Sequence, residues 1–338
     1  MTELSQYTSL RVGGPANKIV QVSHEAEIIA AIEQAGDSPV LILGGGTNLL
    51  VSDKGFAGTV IRISNNSVKS EVDACSGATL TIGAGEDWDT FVQATIERGY
   101  AGLETLSGIP GTVGASPIQN IGAYGHEVSE FITRVRTFDR QEKAIKTFTN
   151  AECQFTYRNS YFKAHPGRYV VLDVQFQIRI GEMSDPITYL ELAKKLGVAP
   201  GDKATVKDTR AAVLELRASK GMLLSQDDHD SWSAGSFFTN PIVSQQQADA
   251  LPNAAPKWPL NDGRVKISAA WLIENAGMHK GDEVGGARIS TKHVLALTNS
   301  GDATAADIAE LAKRARNQVK EVFGITLEAE VNLIGIEI

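Results

Sequence analysis

Cysteine is almost missing from this chain. Of its 338 residues only Cys75 and Cys153 carry a thiol, and they form no C-x-x-C pair. A disulfide framework or a cysteine-based zinc site is thereby excluded, and two isolated buried thiols are expected. Long apolar runs are missing too. No segment reaches the roughly eighteen apolar residues of a membrane helix, and the start MTELSQYTSLRVGG has no signal-peptide core. A cytoplasmic chain without membrane contact is the expectation. There is no lysine or arginine block, and the formal net charge is -8. Nucleic acid is therefore a poor candidate partner. The six histidines, His24, His126, His165, His229, His279 and His293, show no metal-ligand spacing such as H-E-x-x-H. The run DDHD at 227–230 reads as an exposed acidic loop, and no metal site is expected. Internal repeats and low-complexity segments are absent as well.

What remains is an ordinary globular balance, 42% apolar and 21% charged. The length suits two or three domains. From Ser23, SHEAEIIAAIEQAG reads as a helix capped by Ser23 and stopped by Gly36. A short strand at 40–43 runs into Gly44, Gly45 and Gly46. An alternating strand at 78–82 leads through a glycine turn to a helix from about Trp88 to Gly99. RVRTFD, AIKTFT and YVVLDVQFQI read as strands, and residues 208–220 as a helix. The composition changes past Gly221, where polar and proline-rich loops begin. SAAWLIENAG reads as a short capped helix. TAADIAELAKRARNQVKEVFG is a longer one, with Thr304 and Asp307 at capping-box spacing. ITLEAEVNLIG alternates as a half-buried strand, with Glu328 and Glu330 on its polar face.

Two glycine-rich stretches point to a ligand. The first, LGGGTNLLV, follows a strand but lacks the G-x-G-x-x-G spacing and the following helix of a Rossmann site. A Walker pattern is missing too. The second, SGIPGTVGASPIQNIGAYG at 107–125, holds five glycines, two prolines and no ionised side chain. Glycine permits positive φ and close approach, so successive N–H groups can face one anion. A dinucleotide pyrophosphate suits such a nest. A loop that merely turns a corner is the simpler reading of the same residues.

Six pieces, TSLRVGGPA (8–16), LGGGTNLLVSD (43–53), the 107–125 stretch, YRNSYFK (157–163), GSFFTNP (235–241) and LEAEVNLIG (327–335), occur in one order along the chain. In these the chain resembles the UDP-N-acetylenolpyruvoylglucosamine reductase family. The resemblance implies an α+β fold: a two-part FAD-binding region of the vanillyl-alcohol-oxidase type plus a C-terminal α+β substrate-binding domain. It maps to 1–65 with 330–338, to 66–218, and to 219–329. It implies non-covalent FAD, NADPH as co-substrate, a UDP-sugar substrate, and no metal, nucleic-acid or membrane partner. A monomer is expected. Tyr7 departs from the polar residue usual before the threonine, at what reads as the edge of the fold.

The family's reaction carries a hydride from NADPH, through FAD, to the methylene carbon of an enolpyruvyl ether. The enediolate-like intermediate needs cations or acidic hydrogens at its oxygens, then a proton on the adjacent carbon. The resemblance assigns the carboxylate fork to Arg158, whose two parallel hydrogen bonds lysine cannot imitate. It assigns the proton donor to Ser236, which has no nucleophile elbow around it. It picks Glu330, which helps an anion only in its protonated form, as burial would favour. Alternation alone cannot separate Glu330 from Glu328. FAD is expected at Gly44, Gly45, Gly46, Thr47, Asn48, Leu49, Ser107, Pro110, Gly111, Thr112, Ser116, Gly122, Ala123 and Arg217. Substrate is expected at Tyr157, Tyr189, Lys220, Asn240 and His293. A strand-edge arginine, a turn-capping serine, a solvated glutamate face, a helix-surface tyrosine and a packed histidine are the plain structural counterparts. Two other classes stand beside the reductase: an FAD oxidase of the same superfamily acting on an alcohol, and a nucleotide-sugar binder without flavin.

Overall fold

The computed structural model describes residues 2–73 and 77–338, which form two compact units. One contains residues 17–45 and 57–219, and the other 1–16, 46–56 and 220–338. Each combines helices with sheets, so the α+β class holds.

The 17–219 unit is built on an antiparallel sheet. Its strands run Ala144–Thr149, Ile132–Asp139, Tyr169–Ile180, Gly77–Gly83, Val68–Asp73, and Tyr100–Ala101 also pairs with Tyr169–Ile180. Asp173 lies opposite Gly83 and Ile178 opposite Ala78. The helix Trp88–Glu97 starts at Asp87, whose carboxylate accepts from Thr90 N at 2.8 Å. Trp88, Phe91 and Phe176 interlock, with centroids 5.0–6.1 Å apart. Burying aromatic faces this way is a large stabilising term, and it sets the height of the glycine turn just before Trp88. Val40–Leu43 pairs in parallel with Phe56–Ile63. The helix Glu25–Ala35 adds Ile28 and Ile32 to the same core.

The helix starts one residue later than the sequence suggests. His24 is its cap residue, and the Glu27 carboxylate reaches back to the N–H groups of both His24 and Ser23. Glu27 outcompetes Ser23 because a carboxylate accepts charge-assisted bonds at a positive helix end. Cys153 is buried, and burial pushes its thiol up to about 12. Cys75 lies outside the described residues.

The other unit packs the helix Ala305–Phe323 against an antiparallel sheet of Ser233–Ser236, Ala296–Asn299, Ala287–Ile289 and Glu283–Val284. Thr304 and Asp307 form the expected capping box. Asp53 adds a second clamp, accepting from Ala305 N at 2.8 Å and Ala306 N at 3.0 Å. The C-terminal segment keeps its alternation but is not one strand. Only Asn332–Ile334 joins a sheet, in parallel with Leu49–Val51, while Ala329 makes a lone bridge with Phe238. Two different neighbours in succession break the ladder that alternation alone suggested.

Candidate active site

In the 17–219 unit the 107–125 stretch threads along the turn before Trp88. Trp88 N donates to Gly111 O, Val113 N to Glu86 O and Gly114 N to Ala84 O, at 2.9–3.0 Å. The two glycine-rich stretches meet here, since a Cβ on Gly44 would stand 2.5 Å from Thr112 Oγ1. A Cβ on Gly114 would stand 2.5 Å from that of Ala84. These two glycines are thus required by the chain's own close packing.

Gly108 is gripped at both backbone groups. Its N–H donates to Asp89 Oδ1 at 2.6 Å, and its carbonyl accepts from Arg217 Nε at 2.9 Å. Arg210 braces Asp89 with two bonds of 2.7 and 2.8 Å. Burial raises the Asp89 carboxyl, but Arg210 and the Gly108 N–H together hold it below its ordinary value. Arg217 is buried, and that burial lowers its guanidinium, which still stays charged. Ser107 donates to Glu104 O and Ser116 to Val113 O, so both hydroxyl hydrogens serve the loop itself.

Farther along, Arg158 sits in the tight turn Thr156–Asn159, whose ends exchange bonds of 3.0 and 3.1 Å. It has φ +53°, a left-handed conformation unusual for arginine. Its Nη2 donates to Gly122 O at 2.7 Å. Tyr157 lies beside the guanidinium, 5.4 Å from ring centroid to Cζ. Gly122–Ala123 pairs with His126–Glu127 as a short ribbon. Tyr124 meets Tyr189 edge to face at 5.5 Å. Burial pushes the Tyr124 phenol up to about 12. Tyr189 caps the helix Leu190–Leu196 and is 45% exposed.

The other unit brings its own set together. Glu330 N donates to Phe237 O at 2.8 Å, and Thr239 N to Glu328 O at 3.0 Å. Glu330 therefore lies opposite the residue next to Ser236, which ends the strand Ser233–Ser236. Phe237 and Phe238 are fully buried beneath this crossing. Glu330 is half-buried where Glu328 is exposed, a distinction alternation could not make. Asn48, expected at the cofactor, donates from Nδ2 to Glu330 O at 3.2 Å. Leu49 is fixed by the parallel pair with Asn332.

Gly46 has φ +66°, and a Cβ there would lie 1.8 Å from Tyr7 O. The Tyr7 carbonyl thus lies against the glycine turn. Ser9, which sequence reasoning passed over, donates its N–H to Gly46 O at 3.1 Å. Its hydroxyl is buried without a protein partner. Such an orphan next to a glycine turn fits an incoming polar ligand atom.

The substrate candidates of this unit have structural tasks too. Asn240 Oδ1 accepts from Ala269 N at 2.9 Å, at the start of the helix Ala269–Asn275. His293 Nδ1 accepts from Leu295 N at 3.0 Å. Gly221, after Lys220, approaches Asp230 O and Lys292 Cδ, 3.1 and 3.4 Å from where its Cβ would be. Asp230 corrects the exposed-loop reading of DDHD. It is buried, and its carboxylate accepts from the Thr291 N–H and hydroxyl. Two neighbouring donors compensate the desolvation of this carboxylate. Among the described residues no His, Cys, Asp or Glu group could hold a metal ion, and no helix is long and apolar enough to cross a membrane.

Two family models match different stretches of the chain. Residues 16–147 match an FAD binding domain, and residues 226–334 the C-terminal domain of UDP-N-acetylenolpyruvoylglucosamine reductase. The chain is 51% identical to the UDP-N-acetylenolpyruvoylglucosamine reductase of Cutibacterium acnes, over 99% of this chain and 90% of that protein.

The chain belongs to the UDP-N-acetylenolpyruvoylglucosamine reductase family.

The Streptomyces avermitilis enzyme of that name is 48% identical over 99% of this chain and 94% of its own. The crystal structure of the Thermus caldophilus reductase superposes with TM-score 0.68 at 27% identity, covering 98% and 97% of the two chains. As a member of this reductase family the protein is an FAD-containing oxidoreductase of peptidoglycan precursor synthesis. The residues present fit FAD. The stretch 107–125 carries no side-chain charge, and buried Arg217, bonded to Gly108 O, supplies a positive one.

Proposed function

We propose that the protein reduces UDP-N-acetyl-3-O-(1-carboxyvinyl)glucosamine to UDP-N-acetylmuramate, with NADPH as reductant, as a cytoplasmic monomer. The relatives' shared name and the crossing of Ser236 with Glu330 support this reading. When bound, FAD relays the hydride between NADPH and the enolpyruvyl carbon. The chain's residues manage the charge and proton that follow.

Hydride arrival at the methylene carbon drives an electron pair toward the substrate carboxylate. Arg158 receives the growing charge on its planar fork, already anchored at Gly122 O. Glu330 is the second residue this reading assigns to the intermediate. Ser236 gives its hydroxyl proton to the adjacent carbon, and solvent restores it. The product carries the added hydride and one added proton, so charge and atoms balance.

Gly44 to Leu49, Ser107, Pro110, Gly111, Thr112, Ser116, Gly122, Ala123 and Arg217 hold the cofactor in this reading. Lys220 and Asn240 hold the substrate pyrophosphate, with Tyr157, Tyr189 and His293 around the sugar nucleotide. Residues 219–329 make up the substrate-binding part, beside FAD-binding parts at 1–65 with 330–338 and at 66–218.

Ser236→Ala tests the assignment. Flavin bleaching by NADPH should keep its rate, while recovery with the enolpyruvyl substrate should slow by about 10²- to 10⁴-fold, the usual worth of a general acid. Equal recovery rates in variant and parent would remove Ser236 from this role.

A further inference from the structure

We propose that Asn120 is the positioning residue of Arg158, holding its turn and its fork in one orientation. The inference rests on the reading that Arg158 faces the substrate carboxylate. Four contacts join residues 119–122 to the segment that carries the arginine. Asn120 Nδ2 donates to Thr156 O, at the head of the turn, at 2.9 Å. Arg158 Nη2 donates to Gly122 O at 2.7 Å, and Nη1 makes a looser contact with Asn120 O at 3.5 Å. Lys163 Nζ bridges the two segments, 3.0 Å from both Gln119 Oε1 and Arg158 O.

Asn120 is itself bonded at both side-chain polar atoms. It is fully buried, with φ +44°. Its second Nδ2 hydrogen goes to Glu127 Oε2 at 2.7 Å, and its Oδ1 accepts from Ser129 N at 3.2 Å. Two donors and one acceptor are needed at once. Aspartate would set a carboxylate against that of Glu127 and against a carbonyl, so only the amide fits. Asparagine also tolerates the left-handed backbone. Arg158 has the same left-handed backbone without that tolerance, and such a conformation persists only where neighbours over-determine it. A planar fork recognises a carboxylate in one plane only, so a turn that rocks would blur it.

The test is a double-mutant cycle on holoenzyme, read as anaerobic flavin recovery with the enolpyruvyl substrate. Asn120→Gly keeps the backbone option and removes the clamp. It should slow recovery by about 10- to 100-fold, the scale of a misplacement near 1 Å. In an Arg158→Ala background the same change should cost less than twofold, with NADPH-driven bleaching and flavin content serving as controls. Equal losses in both backgrounds overturn the proposal, as does a single-variant loss below twofold. Should Asn120→Gly lose its flavin, Asn120→Asp, which loses both Nδ2 donors, takes its place in the cycle, with the same two criteria. Loss of flavin by both variants also overturns it, because the clamp would then serve the cofactor and not the arginine. If Arg158→Ala alone recovered at the parental rate, the role of Arg158 would fall and this inference with it. A failed cycle over a crippled Arg158→Ala enzyme would leave the role of Arg158 standing.

Discussion

The two units anchor their catalytic candidates by different means. Arg158 is held through side chains: its own guanidinium at Gly122 O, the Asn120 amide at Thr156 O and the Lys163 ammonium at Arg158 O. Ser236 and Glu330 are placed mainly through main chain, with the Asn48 amide as a side-chain addition at Glu330 O. Phe237 N donates to Leu295 O and Glu330 N to Phe237 O, over two buried phenylalanine rings. The difference suits the work. A fork that reads a carboxylate needs its plane fixed, whereas a proton donor needs a rigid base and a hydroxyl able to rotate.

Glutamate exchange tests the main-chain side of this comparison and carries the larger expected effect. Glu330→Ala should slow flavin recovery by about 10²-fold or more, on the scale of a lost transition-state donor. Glu328→Ala, at an exposed position, should stay within twofold. Comparable losses at the two sites would mean that depth of burial does not separate them.

Acid sharpens the contrast with a smaller effect. The folded Asp89 carboxyl lies below its ordinary value, near 3.9 unfolded. Its stabilising contribution is therefore complete above that unfolded value. It is lost as pH falls through the lower, folded one. Hydrogen exchange between pH 6 and pH 3, corrected for intrinsic rates, should show the Gly108 amide losing protection before those of Phe237 and Glu330. Gly108 N–H is bound to a carboxylate and the other two to carbonyls. Simultaneous loss at all three would contradict the distinction.

Much of this fold can be read from the residues because local signals agree there. Val40–Leu43 is a short apolar run ended by glycines, and Thr304 with Asp307 spells a helix start. The failures share a cause, which is that pattern gives a direction and not a neighbour. Alternation marked one face for Glu328 and Glu330, but the Phe237 carbonyl decides which lies deeper. DDHD looks solvated until Thr291 closes over Asp230. Glycine in LGGGTNLL signals close approach without naming the visitor. For Gly44 it is Thr112 and for Gly46 the Tyr7 carbonyl. No pattern gives the contact of the Asn48 amide with the Glu330 carbonyl, 282 residues away. Ser9 gave no sequence signal, since an orphaned hydroxyl is recognised only when its surroundings are known.

The most direct measurement is the anaerobic visible spectrum of the purified protein. A flavin band should be present, should bleach with NADPH, and should return when the enolpyruvyl UDP-sugar is added. A colourless protein that takes up no FAD, or a bleached one restored by oxygen but not by that substrate, would contradict the account.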